Sequence, residues 1–287
     1  MEHLKLSSDK TVNASRRILS SGLVWIVSIL LSAVASLIFI SAVTLFIPGR
    51  MDYIRAAISS HGISGSDAIT TYLVLHIAAR LVLLAVSGVF SFGMLYTLIS
   101  SKARPEEPVK DAGFSAMIGL ANCVHKLVKP FGAAVGVLFI YKLIRFCVFC
   151  YEIRYYNAVI FGFFATVFGE LLLGLIAVGV LYWIYRFSAA MADDITSIQY
   201  LLVTKKSSAY GISTSTFFSL LACTIASMAL ACAMSYDLFA FAAFAAASLA
   251  NLLAAIFIRS TKKHFEELAY EEYLKNGRAS GGLEEIA

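Results

Sequence analysis

Arg80, Lys142, Arg145 and Glu170 stand inside long apolar stretches of a 287-residue chain. An isolated charge near the centre of a bilayer costs about 2.5–3.5 kcal/mol on insertion scales, so such groups pair, line a water path, or carry an anion or a proton. Measured inward from the outer end of each stretch at about 1.5 Å per helical residue, Arg80 and Glu170 lie roughly 16 Å deep and Lys142 roughly 12 Å. Arg145 lies roughly 8 Å deep by the same rise and can snorkel to the headgroups. An Arg80–Glu170 pair is the economical arrangement. An inward-facing Lys142 then leaves a surplus positive charge, to be met by water, carbonyls, a bound anion or a lipid phosphate. His76 shares a helix face with Arg80 and can add a donor, and Asn251 is a further polar lining residue. The competing reading is a structural ion pair that fixes helix register and binds nothing.

Cys147-Val-Phe-Cys150 has the spacing of a redox pair, without an accompanying redox-domain pattern. The competing reading takes the five cysteines as small hydrophobes, too few for a disulfide framework. Cys123-Val-His125 offers two ligands where a closed zinc site needs four, so no metal and no cofactor is expected. No phosphate loop, paired-histidine metalloprotease motif or nucleophile elbow occurs, which argues against a self-contained ATPase or a familiar hydrolase. An intramembrane enzyme with His76 and Glu170 as acid and base would need the fold to bring them together.

The elements that must position these residues follow from composition. The chain is 60% hydrophobic and 14% charged, with mean hydropathy +0.81. Soluble domains carry about 25% charged residues, so a soluble domain, a disordered chain and a disulfide scaffold are all excluded. Crossing about 30 Å of hydrocarbon takes roughly 20 helical residues. Leu23–Ile47, Ile69–Leu98, Phe131–Cys150, Val159–Tyr185, Thr216–Met234 and Leu238–Ile258 are long enough, and none alternates with the period of a barrel strand. The expected fold is an all-α polytopic bundle: a cytoplasmic segment 1–22, a six-span domain 23–258, and a tail 259–287, helical then disordered.

Charge sets the orientation. Lys5, Lys10, Arg16 and Arg17, the loop holding Lys102, Arg104, Lys110, Lys126 and Lys129, the loop holding Arg186, Lys205 and Lys206, and the basic tail all fall on one side. Arg50, Arg55 and Arg154 fall on the other. The excess marks the cytoplasmic face and puts both termini there, in a plasma membrane of bacterial kind. The net charge of +5 is accounted for by insertion and anionic inner-leaflet lipid, so no nucleic-acid partner is expected. Ala33-Val-Ala35 resembles a signal cleavage site, but the apolar run continues to Ile47, as in an uncleaved anchor. Asn13-Ala-Ser15, on the cytoplasmic side, escapes glycosylation.

Each hairpin is followed on the cytoplasmic side by an amphipathic segment. Phe114, Met117, Ile118, Ala121, Val124 and Val128 form one stripe, with Pro130 expected to start the next helix separately. Met191, Ile195, Ile198 and Leu202 form a second, with Asp193 and Asp194 pointing away. The tail supplies a third around Lys262–Lys275, with Glu271 and Lys275 spaced to pair and Asn276-Gly277 as its C-cap. These helices either shield the bundle ends or dock a cytoplasmic protein partner. Outside, Met51, Ile54 and Ile58 indicate a small surface helix. Gly88–Tyr96 and Gly174–Tyr182 match as a weak internal repeat, of a kind common in transporters. Ser219, Cys223 and Ser227, with Ala242, Ala246 and Ala250, give the last hairpin close-packing faces, used within the chain or in a homo-oligomer.

The function expected from the sequence is a non-catalytic membrane protein that binds or organises partners at the cytoplasmic face. The alternative is a small-solute transporter with Arg80, Lys142 and Glu170 at its site.

Overall fold

A computed structural model describes residues 21–60, 66–103, 112–153, 161–204 and 214–281. These residues form seven helices and no strand: α1 (Gly22–Thr44), α2 (Arg50–Ser60), α3 (Ser66–Ala103), α4 (Ala112–Ile153), α5 (Phe161–Thr204), α6 (Thr214–Ala233) and α7 (Leu238–Gly281). All but α2 are long and apolar enough to cross a membrane. The chain divides into two compact units, residues 1–118 with 193–287, and residues 119–192.

In the first unit α1 packs between α3 and α7, and α6 packs on the other side of α7. Hydroxyls inside these apolar helices bond to carbonyls one turn back, which hides their polarity without breaking the helix. Ser28 donates to the Val24 carbonyl at 2.8 Å, Ser87 to Leu83 at 2.6 Å and Thr224 to Leu220 at 2.9 Å. Neighbouring helices are also stitched together, by the Ser32 and Ser91 hydroxyls between α1 and α3 and by Ser248 donating to the Thr224 carbonyl between α7 and α6.

The connection after α1 explains α2. Pro48 and Gly49 end the first apolar run, Gly49 taking φ 79°, a left-handed conformation that glycine adopts without a Cβ penalty. The chain then re-enters helix at Arg50, with Asp52 in the first turn, where a negative charge suits the helix dipole. The expected small helix is therefore present, and Ile54 and Ile58 on its apolar side are buried. Ile54 and Ile58 are covered by Leu73 of α3, with Leu45, Met51, Ile69, Tyr72, Ile77 and Tyr236 around them.

Helix continuity departs from the sequence reading in three places. Pro130 does not separate two helices; it lies inside α4, which runs from Ala112 to Ile153. Proline forfeits one backbone bond, and a long helix with many others can absorb the loss. The Met191–Leu202 stripe is likewise the continuation of α5. At the tail, α7 passes through Asn276-Gly277 to Gly281, because a C-cap motif ends a helix only where the following backbone turns left-handed.

Asp194 is corrected too. It is buried and accepts a hydrogen bond from Thr216 at the start of α6, instead of pointing away from the apolar stripe. Close by, α3 and α4 cross on glycine. A Cβ on Gly93 would lie 2.8 Å from the Gly113 carbonyl oxygen, and one on Gly113 would lie 2.5 Å from that of Gly93. Phe114 and Met117 pack there with Phe90, Met94, Ile195 and Ile198. The buried alanines of α7 include Ala240, Ala243, Ala247 and Ala250, so of the expected Ala242–Ala246–Ala250 line Ala250 is buried while Ala242 and Ala246 are half-buried. The helix rotates to bury Phe244 beside Ala243, since the larger apolar surface decides the face.

The second unit consists of the remainder of α4 and α5. Gly174 sits against Phe139, where a Cβ would come within 2.9 Å of the ring, and Phe146 and Phe168 meet at 6.4 Å between centroids. Large apolar side chains such as Val137, Leu138, Leu173 and Ile176 are exposed. The glycines matched in the weak repeat are used differently: Gly93 makes a close helix contact while its counterpart Gly179 has open space, and Gly174 touches Phe139 while Gly88 touches nothing.

Candidate functional site

Asp237 organises the polar centre of the first unit. It precedes α7, and its Oδ1 accepts from the Phe239 and Ala240 amides at 3.2 and 3.3 Å, an N-cap that satisfies two otherwise free donors. Its Oδ2 accepts from Ser41 of α1 at 2.8 Å and from Arg80 Nη2 of α3 at 3.1 Å. Ser41 closes the ring by accepting from Arg80 Nε at 3.1 Å. Arg50, the first residue of α2, brings its Nη2 to 3.9 Å from Oδ1 and lays its guanidinium over the Tyr53 ring. Four helices thus meet on one carboxylate.

The surroundings are apolar. On one side lie Ile38, Ala231, Met234, Ala240, Ala243 and Phe244; on the other lies the Ile54–Ile58–Leu73 cluster. Arg80 is 1% exposed and Asp237 0%. His76, one turn before Arg80, bonds through Nδ1 to the Tyr236 hydroxyl, stacks with the Tyr236 ring and meets the Tyr72 ring at a tilt. Burial raises the Tyr236 phenol above its ordinary pKa, so it stays protonated at neutral pH.

Arg80 therefore sits level with Ser41, one turn from the end of α1, and with the residue that opens α7. It is nearer the helix ends than counting from Ile69 implied. The first turns of α3 overrun the neighbouring spans because their apolar side chains cover α2, and hydropathy does not distinguish that use from contact with lipid.

The remaining sequence candidates are placed as follows. Lys142 is half-buried and Arg145 exposed, both on α4 within the second unit. The side chain of Glu170 lies outside the described residues. Asn251, well inside α7, donates from Nδ2 to the Ser227 hydroxyl at 3.5 Å across the α6–α7 hairpin, so it is not part of the Arg80 cluster at the start of that helix. Cys147 and Cys150 are free and exposed in the last turns of α4, whereas reactive Cys-x-x-Cys pairs occupy helix N-termini. Cys123 is exposed, and His125 donates from Nδ1 to the Tyr185 carbonyl at 3.1 Å while stacking on its ring. No group of three metal-ligating side chains occurs among the described residues.

Asp237, Ser41 and Arg50 were not singled out from the sequence. The signal for Asp237 was a capping residue directly ahead of an apolar helix. Nothing local marks Ser41 as its partner.

Fold and site together define, among the described residues, an all-α protein with six helices long and apolar enough to span a membrane and a buried ion pair in its first unit. Family models, curated proteins and solved structures provide no match to it.

Proposed function

We propose that the chain is a six-span integral protein of a plasma membrane of bacterial kind, with both termini cytoplasmic, that binds or organises protein partners at the cytoplasmic face without catalysing a reaction. The observation that carries this reading is helix continuity beyond the apolar runs. α4 begins at Ala112, well ahead of the apolar run from Phe131; α5 continues past Tyr185 to Thr204; α7 continues past Ile258 to Gly281. Such extensions present Asn122, Lys126, Leu127, Lys129, Arg259 and Lys263 as exposed positions on helical rods, a form that partner proteins recognise by face. The basic residues concentrated on these same segments support the cytoplasmic assignment. The transporter alternative has less support, because Arg80 is held by both Ser41 and Asp237.

A photo-crosslinking residue placed at Leu127 or Arg259 in native membranes is expected to give a discrete protein adduct. The same residue at Leu138, within the apolar run, is expected to label lipid alone. Lipid adducts only, from all three positions, would overturn the partner-binding reading.

A further inference from the structure

The geometry points to a binding site for a phosphate group, built by Arg80 and Arg50 around Asp237. Two guanidiniums face one carboxylate, Arg80 at 3.1 Å and Arg50 at 3.9 Å, so the cluster holds one positive charge more than it balances. The carboxylate is already committed to two α7 amides and to Ser41, besides the guanidiniums. Among the described residues two buried donors have no hydrogen-bond partner, Arg80 Nη1 and Arg50 Nε, while the Arg80 guanidinium also acts on the Tyr236 hydroxyl.

An orphaned guanidinium N–H in a dry environment is costly, and natural structures rarely keep one without a ligand or water to receive it. Two such donors, on arginines that flank the same carboxylate, favour an oxyanion with several acceptor oxygens. Phosphate fits that requirement better than a halide, and arginine forks match its geometry. The Arg50 side chain is 29% exposed, so it forms the rim of the site while Arg80 forms the floor. The cluster lies at the ends of α1 and α7, the level at which lipid headgroups meet a spanning helix bundle. The phosphate can therefore come from a lipid headgroup or from free inorganic phosphate.

The test uses the full chain, purified in maltoside detergent and stripped of lipid. Its thermal unfolding is followed while titrating, separately, short-chain phosphatidylglycerol and sodium phosphate, with sodium chloride at matched ionic strength as the reference. A ligand of the folded state raises the midpoint saturably. Arg50→Gln leaves the Arg80–Asp237–Ser41 ring in place and is expected to weaken the response at least tenfold, with Arg50→Lys between the two. A response to the lipid alone assigns the site to headgroups, and a response to inorganic phosphate assigns it to the free anion. No rise with either source, or a rise that both Arg50 variants leave unchanged, overturns the proposal; the second result would also show that the lipid acts elsewhere on the surface.

Discussion

Arg80 and Asp237, 157 residues apart in the chain, meet at 3.1 Å with almost no exposure to solvent. Removing one partner strands the other. Asp237→Ala is expected to destabilise the chain by about 3–5 kcal/mol, because it leaves a buried guanidinium uncompensated. Arg80→Met combined with Asp237→Ser, which keeps a capping hydroxyl, is expected to cost clearly less than the sum of the single changes. Unfolding in detergent across the four proteins of this cycle measures the coupling, and additive costs would show that the two charges act independently.

Ser41 both accepts from Arg80 and donates to Asp237. Ser41→Ala therefore breaks two bonds in a dry site and is expected to cost about 1–3 kcal/mol. Ser36→Ala, in the same helix but exposed and bonded only one turn back, is expected to be close to neutral. Comparing the two melting temperatures separates the network from the general effect of losing a serine in α1.

The α3–α4 crossing depends on the absence of a Cβ at Gly93 and Gly113. Gly93→Ala and Gly113→Ala should each lower stability by about 1–3 kcal/mol, since the obstructing atoms include backbone oxygens that cannot rotate aside. Gly88→Ala, five residues earlier in open space, is expected to be neutral or stabilising through helix propensity. Equal effects at 88 and 93 would contradict the close crossing.

Thr216→Val keeps the shape of a buried side chain while removing the hydroxyl that Asp194 accepts from. A loss of about 1–3 kcal/mol is expected from the lost hydrogen bond to a buried carboxylate. Asp193→Asn, at the exposed neighbouring position, is expected to leave the unfolding midpoint almost unchanged.

Much of the architecture was legible because long apolar runs are a cumulative signal. The six long helices overlap the runs that hydropathy marks, and the small helix α2 falls where the Met51–Ile54–Ile58 spacing places it. Individual residues were read less well where two environments look alike in sequence. Asp194 follows exposed Asp193, and only the position of Thr216 shows which of the two turns inward. Pro130 was read as a boundary because local propensity favours one, whereas the flanking helix holds it. The Ala242–Ala246–Ala250 line meets the buried stripe of α7 only at Ala250, as alanines at neighbouring positions offer nearly equal choices until Phe244 settles the rotation.

The sequence by itself determined that the described residues are all-helical and that six runs are long enough to span a bilayer. Those properties sum over many residues and need no knowledge of contacts. The tertiary structure decided what balances Arg80. Charge attraction is strong only over a few ångströms in a dry interior, so the partner is whichever carboxylate the packing brings near. That carboxylate is Asp237, delivered by the tight turn between α6 and α7 and held by Ser41 from a third helix.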